Sequence, residues 1–267
     1  RAQHLDYSFG LELKTGPIRQ QMEVQFGLIP EVVAAPPGSG GQVPSGHRNR
    51  MDFVVNGSDL GLRPAGDFSS FVDIENCPVQ RPGANAALAL CRELSAAHPK
   101  AAIQRETGAG WLKYITIREG ALTGVIVLTT REGASEAVDY LAFERDLLER
   151  LAELPATFGL VRGETPERAE LSCVPGGAVL SGDGRFQERL GGVDFSVPYD
   201  AFFQPSPPGF DQLLERVRAW VQELPAGSSG PLIDMYCGAG VLSAIVSRWR
   251  PELFDRVLGY ESVASAV

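Results

Sequence analysis

Long apolar segments are missing from this sequence. No stretch approaches the length of a membrane-spanning helix, and residues 1–6 contain no apolar core of a secretory signal. These absences argue against a membrane protein, and we expect the chain to lie in the cytoplasm. The hydrophobic fraction of 44%, with 30 glycines and 19 prolines, instead indicates a globular protein with many turns.

Lysine is scarce, occurring only at positions 14, 100 and 113, and the formal net charge is −9. This charge has the wrong sign for binding nucleic acid through bulk electrostatics, because phosphates are contacted by Lys and Arg. A local basic groove can still exist on an acidic protein, and nearly all of the positive charge here is arginine, the better bidentate partner for phosphate. The composition therefore counts against a nucleic-acid partner without excluding one.

Closely spaced cysteines are also missing. The four cysteines, Cys77, Cys91, Cys173 and Cys237, are far apart and form no CxxC pair. This spacing predicts neither a disulfide framework nor a self-contained zinc site. Taken alone, the pattern is typical of reduced and mostly buried thiols.

Short segments rich in β-branched or aromatic residues dominate the first two thirds of the chain, separated by turns that contain glycine. Such segments predict an antiparallel sheet. Lys113 and Arg118 fall within one of the strands, and we expect their charges to be solvated. Residues 1–192 are therefore predicted to form an α+β central domain. Its clearest strands lie near residues 51–55, 112–117, 125–129 and 158–161.

Apolar stripes at helical spacing predict helices in the same part of the chain. Two of them, near residues 84–94 and 141–154, interleave with the strands. A third covers residues 5–26 and is predicted to be broken at Gly16 and Pro17, because proline interrupts the hydrogen bonds of a helix.

The pattern changes after residue 192, where a boundary between domains is predicted. An amphipathic helix is followed by a strand, a Gly-rich turn, a helix and a second strand, which is the opening of a doubly wound, Rossmann-like α/β domain. Two strands and one helix cannot bury both faces of a parallel sheet. We therefore expect residues 193–267 to be an incomplete domain and the natural protein to continue past Val267. The predicted elements cover residues 210–224, 231–236, 237–240, 241–249 and 256–261.

The turn in this second domain carries the clearest functional signal, Asp234-Met-Tyr-Cys-Gly238-Ala-Gly240. Gly238 and Gly240 allow a tight turn and a close approach of the backbone to a ligand. Glu261, at the end of the next predicted strand, can accept hydrogen bonds from two ribose hydroxyls. Together these residues predict a nucleoside-binding site.

Two nucleosides and one structural alternative remain open for this turn. A dinucleotide prefers GxGxxG, and here Ser243 replaces the third glycine, which weakens that interpretation. S-adenosylmethionine carries no phosphate, and its sulfonium and ammonium groups favour an acid such as Asp234. We therefore favour S-adenosylmethionine, with a dinucleotide or a purely structural turn as the alternatives.

The motif and several other blocks resemble the RNA uracil-C5 methyltransferases, which form 5-methyluridine in tRNA and rRNA. The blocks follow one another in the family order, and together they extend over essentially the whole chain. They are Gln3-His4-Leu5-Asp6-Tyr7 with Leu13-Lys14, Arg48-Asn-Arg-Met-Asp-Phe53, Asp73-Ile-Glu-Asn-Cys77-Pro78, residues 112–119, Phe202-Phe203-Gln204 and Asp234-Met-Tyr-Cys-Gly-Ala-Gly-Val-Leu-Ser.

The resemblance implies that Gln204, Tyr236 and Glu261 contact S-adenosylmethionine while Gly238 and Gly240 shape the turn. Without the resemblance, Gln204 could equally cap the helix predicted to begin near residue 210.

Cys77 is similar to the fourth ligand of a [4Fe-4S] cluster that some members of the family carry. The other three ligands lie upstream of the first block and are absent from this sequence. We therefore expect no cluster in this chain, although a longer parent protein could hold one.

The resemblance implies S-adenosylmethionine-dependent methylation of uridine C5 in tRNA or rRNA, through a cysteine thiolate that adds to C6. We expect that cysteine and the carboxylate base beyond Val267, so the chain contains no predicted catalytic residue and is expected to be inactive alone. The alternatives are a non-catalytic RNA-binding remnant or a nicotinamide-dependent oxidoreductase. RNA is the expected partner, with no membrane or protein partner implied.

Arg48 and Arg50 are candidates either for contact with RNA or for structural ion pairs. They share one face of a predicted strand and could bind phosphate or bridge to a neighbouring loop. The sequence leaves both interpretations open.

Overall fold

A computed structural model describes residues 6–34, 44–67, 69–227 and 229–262. Of the blocks that carry the family resemblance, Gln3, His4 and Leu5 lie outside the described residues. No helix in the described parts of the chain is both long enough and apolar enough to cross a membrane.

Residues Tyr7–Phe26 form one helix, α1. Asp6 caps its beginning by accepting two backbone N–H hydrogen bonds, and Gly27 ends it in the left-handed conformation at φ 65°. The predicted break at Gly16 and Pro17 is wrong. A proline removes one hydrogen bond but has a helical φ of about −65°, and this helix is capped at both ends.

A seven-stranded sheet forms the centre of the fold, in the order β3-β2-β1-β4-β5-β6-β7. All neighbouring strands are antiparallel except β5 and β6, which are parallel, so the predicted antiparallel sheet is in fact mixed. A helix connects β5 to β6, and such a crossover returns the chain in the same direction. The strands are β1 (Arg50–Asn56), β2 (Asp59–Leu62), β3 (Val72–Asp73), β4 (Leu112–Glu119), β5 (Gly124–Arg131), β6 (Phe158–Thr165) and β7 (Ala178–Ser181).

Both faces of the central strands are covered. In β5, Ile126 and Leu128 pack with helices α2 (Pro82–Ala97) and α3 (Val138–Arg150), as part of one hydrophobic cluster. Val125 and Val127 point to the opposite face and pack in a second cluster. A strand buried on both faces has a continuous apolar sequence, which explains why β5 shows no alternation of apolar and polar residues.

A hairpin covers the second face of the sheet. It is formed by β8 (Arg185–Leu190) and β9 (Val193–Pro198), which pair in antiparallel register. Phe186 and Phe195 of this hairpin pack in the same cluster as the valines of β5. The division predicted at residue 192 falls in the hairpin turn and stays a prediction.

The C-terminal elements follow the predicted order of helix, strand, turn, helix and strand. Strands β10 and β11 pair in parallel and are joined by α5. The overall fold is thus a mixed sheet with helices, followed by the beginning of a parallel α/β unit. The elements are α4 (Pro207–Glu223), β10 (Gly230–Met235), α5 (Val241–Trp249) and β11 (Phe254–Tyr260), with short 3-10 helices at Ala134–Glu136, Leu151–Glu153 and Pro251–Leu253 elsewhere in the described chain.

Candidate functional site

The turn between β10 and α5 has an unusual backbone. Gly238 and Gly240 have positive φ values of 54° and 67°, and Tyr236 has φ 62°. Tyr236 is the only residue other than glycine in this conformation within the described residues, and it costs about 1–2 kcal/mol. Its side chain is 86% exposed. A Cβ atom built on Gly238 would have no atom within 4 Å, so the turn borders open space.

Hydrogen bonds from the neighbouring strand fix this turn. Glu261 Oε2 accepts from the backbone N–H of Gly238 at 2.9 Å, and Cys237 N–H donates to the carbonyl of Tyr260 at 3.1 Å. Gly240 N–H then donates to the carbonyl of Cys237 at 2.9 Å. Glu261 and the glycine turn therefore lie side by side, as their predicted shared role requires.

Asp234 lies near the end of β10, and its carboxylate reaches the first turn of α5. Its Oδ2 atom accepts from the backbone N–H of Ser243 at 3.1 Å, which satisfies one free donor in the first turn of the helix. Ser243 is buried, and its hydroxyl donates to the carbonyl of Gly240 at 3.1 Å. A carboxylate at this helix terminus repels a pyrophosphate and attracts a cation, which counts against the dinucleotide interpretation.

Gln204 lies on the segment that leads into α4. It does not cap that helix, because α4 begins at Pro207 with Ser206 as its N-cap and no side-chain capping hydrogen bond. The structural alternative for Gln204 is therefore wrong. Phe203, its neighbour, is buried in the same hydrophobic cluster as Val241, the first residue of α5. This packing holds the Gln204 segment against the helix that follows the glycine turn.

Asn49 connects the central sheet to the Gln204 segment. Its side-chain amide donates to the carbonyl of Gln204 at 3.0 Å and to Glu188 Oε2 at 3.4 Å. Its backbone N–H donates to the carbonyl of Pro205 at 2.9 Å. Asn49 is 1% exposed and lies 155 residues from Gln204, so sequence patterns gave no signal for this contact.

Arg118 supports the same segment from inside the core. Its Nη1 donates to the carbonyls of Tyr199 and Ala201, both at 2.7 Å, and its guanidinium lies 4.3 Å from the ring centroid of Phe186. Burial, with the nearby positive charge of Arg50, lowers the pKa of Arg118 to about 10, so the side chain remains charged at neutral pH.

The expectation that Lys113 and Arg118 are solvated is wrong. They are 1% and 0% exposed. Lys113 donates to the carbonyls of Glu167, at 3.0 Å, and Ala169. Their burial follows from the cover on both faces of β4, and backbone carbonyls rather than carboxylates satisfy their charges. A strand covered on both faces is a tertiary feature, and the sequence of β4 alone does not reveal it.

Replacement of Asn49 by aspartate is expected to weaken binding at the glycine turn about tenfold. The carboxylate cannot donate to Gln204 and would face the buried carboxylate of Glu188, so the Gln204 segment loses its anchor. Calorimetric titration with S-adenosylmethionine measures the effect. Asn56→Asp is the matched control, because Asn56 uses its side-chain oxygen to accept from Arg105 N–H, and aspartate keeps that bond. Equal affinities in the two variants would contradict the anchoring role.

The two arginines singled out from the sequence have different surroundings. Arg50 forms an ion pair with Asp52 at 2.9 Å, which agrees with a structural role for Arg50 and not with a contact to phosphate. Within the described parts of the chain, Arg48 has no carboxylate partner. Its side chain lines an open groove instead. Of the two, Arg48 alone stays available to an external anion.

Three of the four cysteine thiols, those of Cys91, Cys173 and Cys237, show no sign of activation. Burial raises the pKa of Cys91 to about 12 and that of Cys173 to about 11. Burial, with the charges of Asp234 and Glu261, also raises the pKa of Cys237. A protonated thiol is a weak nucleophile, so we assign a catalytic role to none of these three.

Cys77 is 5% exposed and lies in a turn held by Asn85, whose side chain bonds both the N–H and the carbonyl of Cys77. Among the described residues, no group of three or more potential metal ligands occurs. The described residues alone do not complete the four ligands of a cluster. A cluster in a longer protein stays a prediction.

Comparisons with known proteins agree with these features. A protein of Leptospira interrogans described as an uncharacterized RNA methyltransferase is 30% identical over 269 residues, covering 100% of this chain. The chain is similar to RNA methyltransferases over its whole length. This similarity confirms the resemblance seen in the sequence motifs. The tRNA (uracil(54)-C(5))-methyltransferase of Pyrococcus furiosus is 25% identical over 99% of the chain. No protein-family model matches.

A solved structure shares the fold of this chain. The tRNA (uracil-54, C5)-methyltransferase of Pyrococcus abyssi, solved in complex with S-adenosyl-L-homocysteine, has a TM-score of 0.74 at 24% identity and covers 100% of this chain. That match confirms the predicted fold class. The chain spans 55% of the length of the Leptospira protein and 59% of the Pyrococcus abyssi chain.

Proposed function

We propose that this chain contributes the cofactor-binding turn of an S-adenosylmethionine-dependent RNA uracil-C5 methyltransferase. The observation that carries the proposal is the strained turn 236–240, which borders open space between two carboxylates, Asp234 and Glu261. The methyltransferase relatives support it.

Each residue of the turn has a proposed role. Glu261 accepts hydrogen bonds from ribose hydroxyls, and Asp234 supplies negative charge near the sulfonium and ammonium groups. The exposed ring of Tyr236 lies against the nucleoside. Gly238 and Gly240 leave room for the ligand, and Gln204 contacts it from the segment that Asn49 holds. The unit that binds the cofactor is residues 193–267, with residues 1–192 as its support.

When bound, S-adenosylmethionine supplies an electrophilic methyl group to the uracil ring. The part of this chain is to hold the donor in a fixed orientation, because a displacement of 1 Å from reacting geometry can cost about 100-fold in rate. The uridine must leave its stack to reach the donor. Two of the relatives are named as enzymes of uracil 54 in tRNA, so we propose tRNA, in the cytoplasm, as the first substrate to test.

Calorimetric titration of the full-length protein with S-adenosylmethionine and with NADH tests the cofactor. We expect binding of the first and none of the second. Binding of NADH alone would support an oxidoreductase and contradict the proposal.

Nucleoside mass spectrometry of RNA from cells that lack the full-length gene tests the reaction. We expect 5-methyluridine to disappear from tRNA and to remain in rRNA. Loss from rRNA alone would change the substrate. Loss from neither RNA would favour a non-catalytic RNA-binding protein.

A further inference from the structure

A groove is lined by residues of α1, of the central sheet and of the beginning of α4. Its volume is about 1500 Å³. Pockets for small molecules have volumes of about 300–1,000 Å³, so this space suits a segment of a polymer better than a single metabolite. One wall is the face of α1 that carries Tyr7, Gly10, Leu11 and Lys14, residues at the i, i+3, i+4 and i+7 positions of a helix.

The charge of the groove is opposite to that of the chain. Four Lys and Arg residues and two carboxylates line it, giving a net charge of +2 on a chain whose net charge is −9. Asp52 pairs with Arg50 at 2.9 Å and Glu170 pairs with Arg63 at 2.9 Å, so both carboxylates are neutralised within the groove. The excess positive charge therefore belongs to the other two cations.

These two cations, Lys14 and Arg48, lie around His47. Burial lowers the pKa of His47, and the positive charges of Arg48 and Lys14 lower it further. Neither cation forms an ion pair with any described residue. Two unpaired cations beside one imidazole, on the wall of a groove, form a site for an anion.

Apolar residues make up another part of the lining. They include Val33, Leu62, Val72 and Ile74, of which Val33 is 45% and Val72 is 50% exposed. A duplex presents mainly phosphates to a protein, whereas a single strand presents phosphates and unstacked bases together. Cations and exposed apolar residues in one groove fit the second arrangement.

The groove borders the segment that carries Gln204. Its lining includes Ser206, Pro208 and Gly209, and Ser206 is two residues from Gln204. Asn49, which anchors the Gln204 carbonyl, directly follows Arg48 in the chain. A strand in the groove would therefore pass beside the Gln204 segment.

We propose that this groove binds a single-stranded segment of RNA, with Lys14 and Arg48 contacting phosphates and the exposed apolar lining residues contacting bases. The inference rests on the proposed function for its choice of RNA, and it adds a surface on which the substrate strand is held.

Fluorescence anisotropy with a labelled, uridine-containing RNA oligonucleotide tests the groove, using the full-length protein without cofactor. Each phosphate contact on a single strand contributes about 0.7 to the slope of log K against log salt. The double variant Lys14→Gln, Arg48→Gln is therefore expected to lower that slope by about 1.4 and to weaken binding about 25-fold at 0.1 M salt.

Two further variants separate this effect from misfolding and from nonspecific charge. Lys14→Arg with Arg48→Lys keeps both charges and is expected to keep the slope. Lys100→Gln removes an exposed lysine outside the groove and is expected to bind as the wild type. An unchanged slope in the double glutamine variant, or an equal loss in Lys100→Gln, would overturn the proposal.

A duplex of the same sequence serves as the competitor, and binding as tight as that of the single strand would also overturn it. Failure of the proposed function is detected separately. The protein could bind the oligonucleotide through Lys14 and Arg48 without binding S-adenosylmethionine. That result would support the groove as an RNA site and contradict the proposed activity.

Discussion

Replacement of Gly238 by valine is expected to lower the affinity for S-adenosylmethionine about 100-fold, which is about 2.7 kcal/mol. A Cβ on this residue meets no protein atom within 4 Å, so the new side chain would extend from the turn into open space. It would fill the space that the ligand is proposed to occupy. Calorimetric titration of the variant measures the loss.

Backbone strain needs its own control in this experiment. Gly238 has φ 54°, where a β-branched residue is disfavoured. Gly176 has φ 73° and is equally open, but it lies in the loop before β7. Gly176→Val therefore reproduces the strain and is expected to keep the affinity for the cofactor. An equal loss in both variants would show that strain, and not the occupied space, weakens binding.

Replacement of Arg118 by methionine is expected to lower the free energy of unfolding by about 3 kcal/mol. Methionine keeps much of the packing volume but donates no hydrogen bond to the buried carbonyls of Tyr199 and Ala201. An unpaired buried carbonyl costs about 1–3 kcal/mol, and the contact with Phe186 is lost as well. Urea unfolding at neutral pH measures the difference.

A gain in stability on replacement of Arg118 would also have a physical explanation. Its Nε and Nη2 atoms are buried and have no hydrogen-bond partner within the described structure. Burying such a group is costly, and apolar replacements of buried charges are stabilising in some proteins. We expect the bonds to the carbonyls to outweigh this cost, because two of them are short and charge-assisted. A more stable methionine variant would contradict that balance.

Arg189→Met is the control for this measurement. Arg189 lies on the same hairpin as Phe186, but it is exposed and pairs only with the exposed Asp194. Its replacement is expected to leave the urea midpoint unchanged, since exposed ion pairs contribute little to stability.

Features set by neighbouring residues could be predicted from the sequence. The order of strand, turn and helix around Asp234 and Gly238 follows from local spacing, and the structure has β10 and α5 at the predicted places. The pairing of Glu261 with the turn was also predictable, because successive parallel strands end at the same edge of a sheet. The proposed roles of these residues remain predictions.

Features set by distant packing could not be predicted in the same way. Pro17 predicted a break, but capping at both ends accompanies a continuous α1. Arg118 and Lys113 had the pattern of solvated charges, but the hairpin and the loop after β6 cover them. The direction of β6 depended on α3, which returns the chain parallel to β5.

The sequence by itself determined the glycine turn, its two carboxylates and the apolar periodicities, because each depends on residues within one or two elements. Only the tertiary structure decided which charges are buried, which cations remain unpaired and how Asn49 reaches Gln204 across 155 residues. Burial and pairing depend on what lies opposite each side chain in space, and that neighbour is set by the fold.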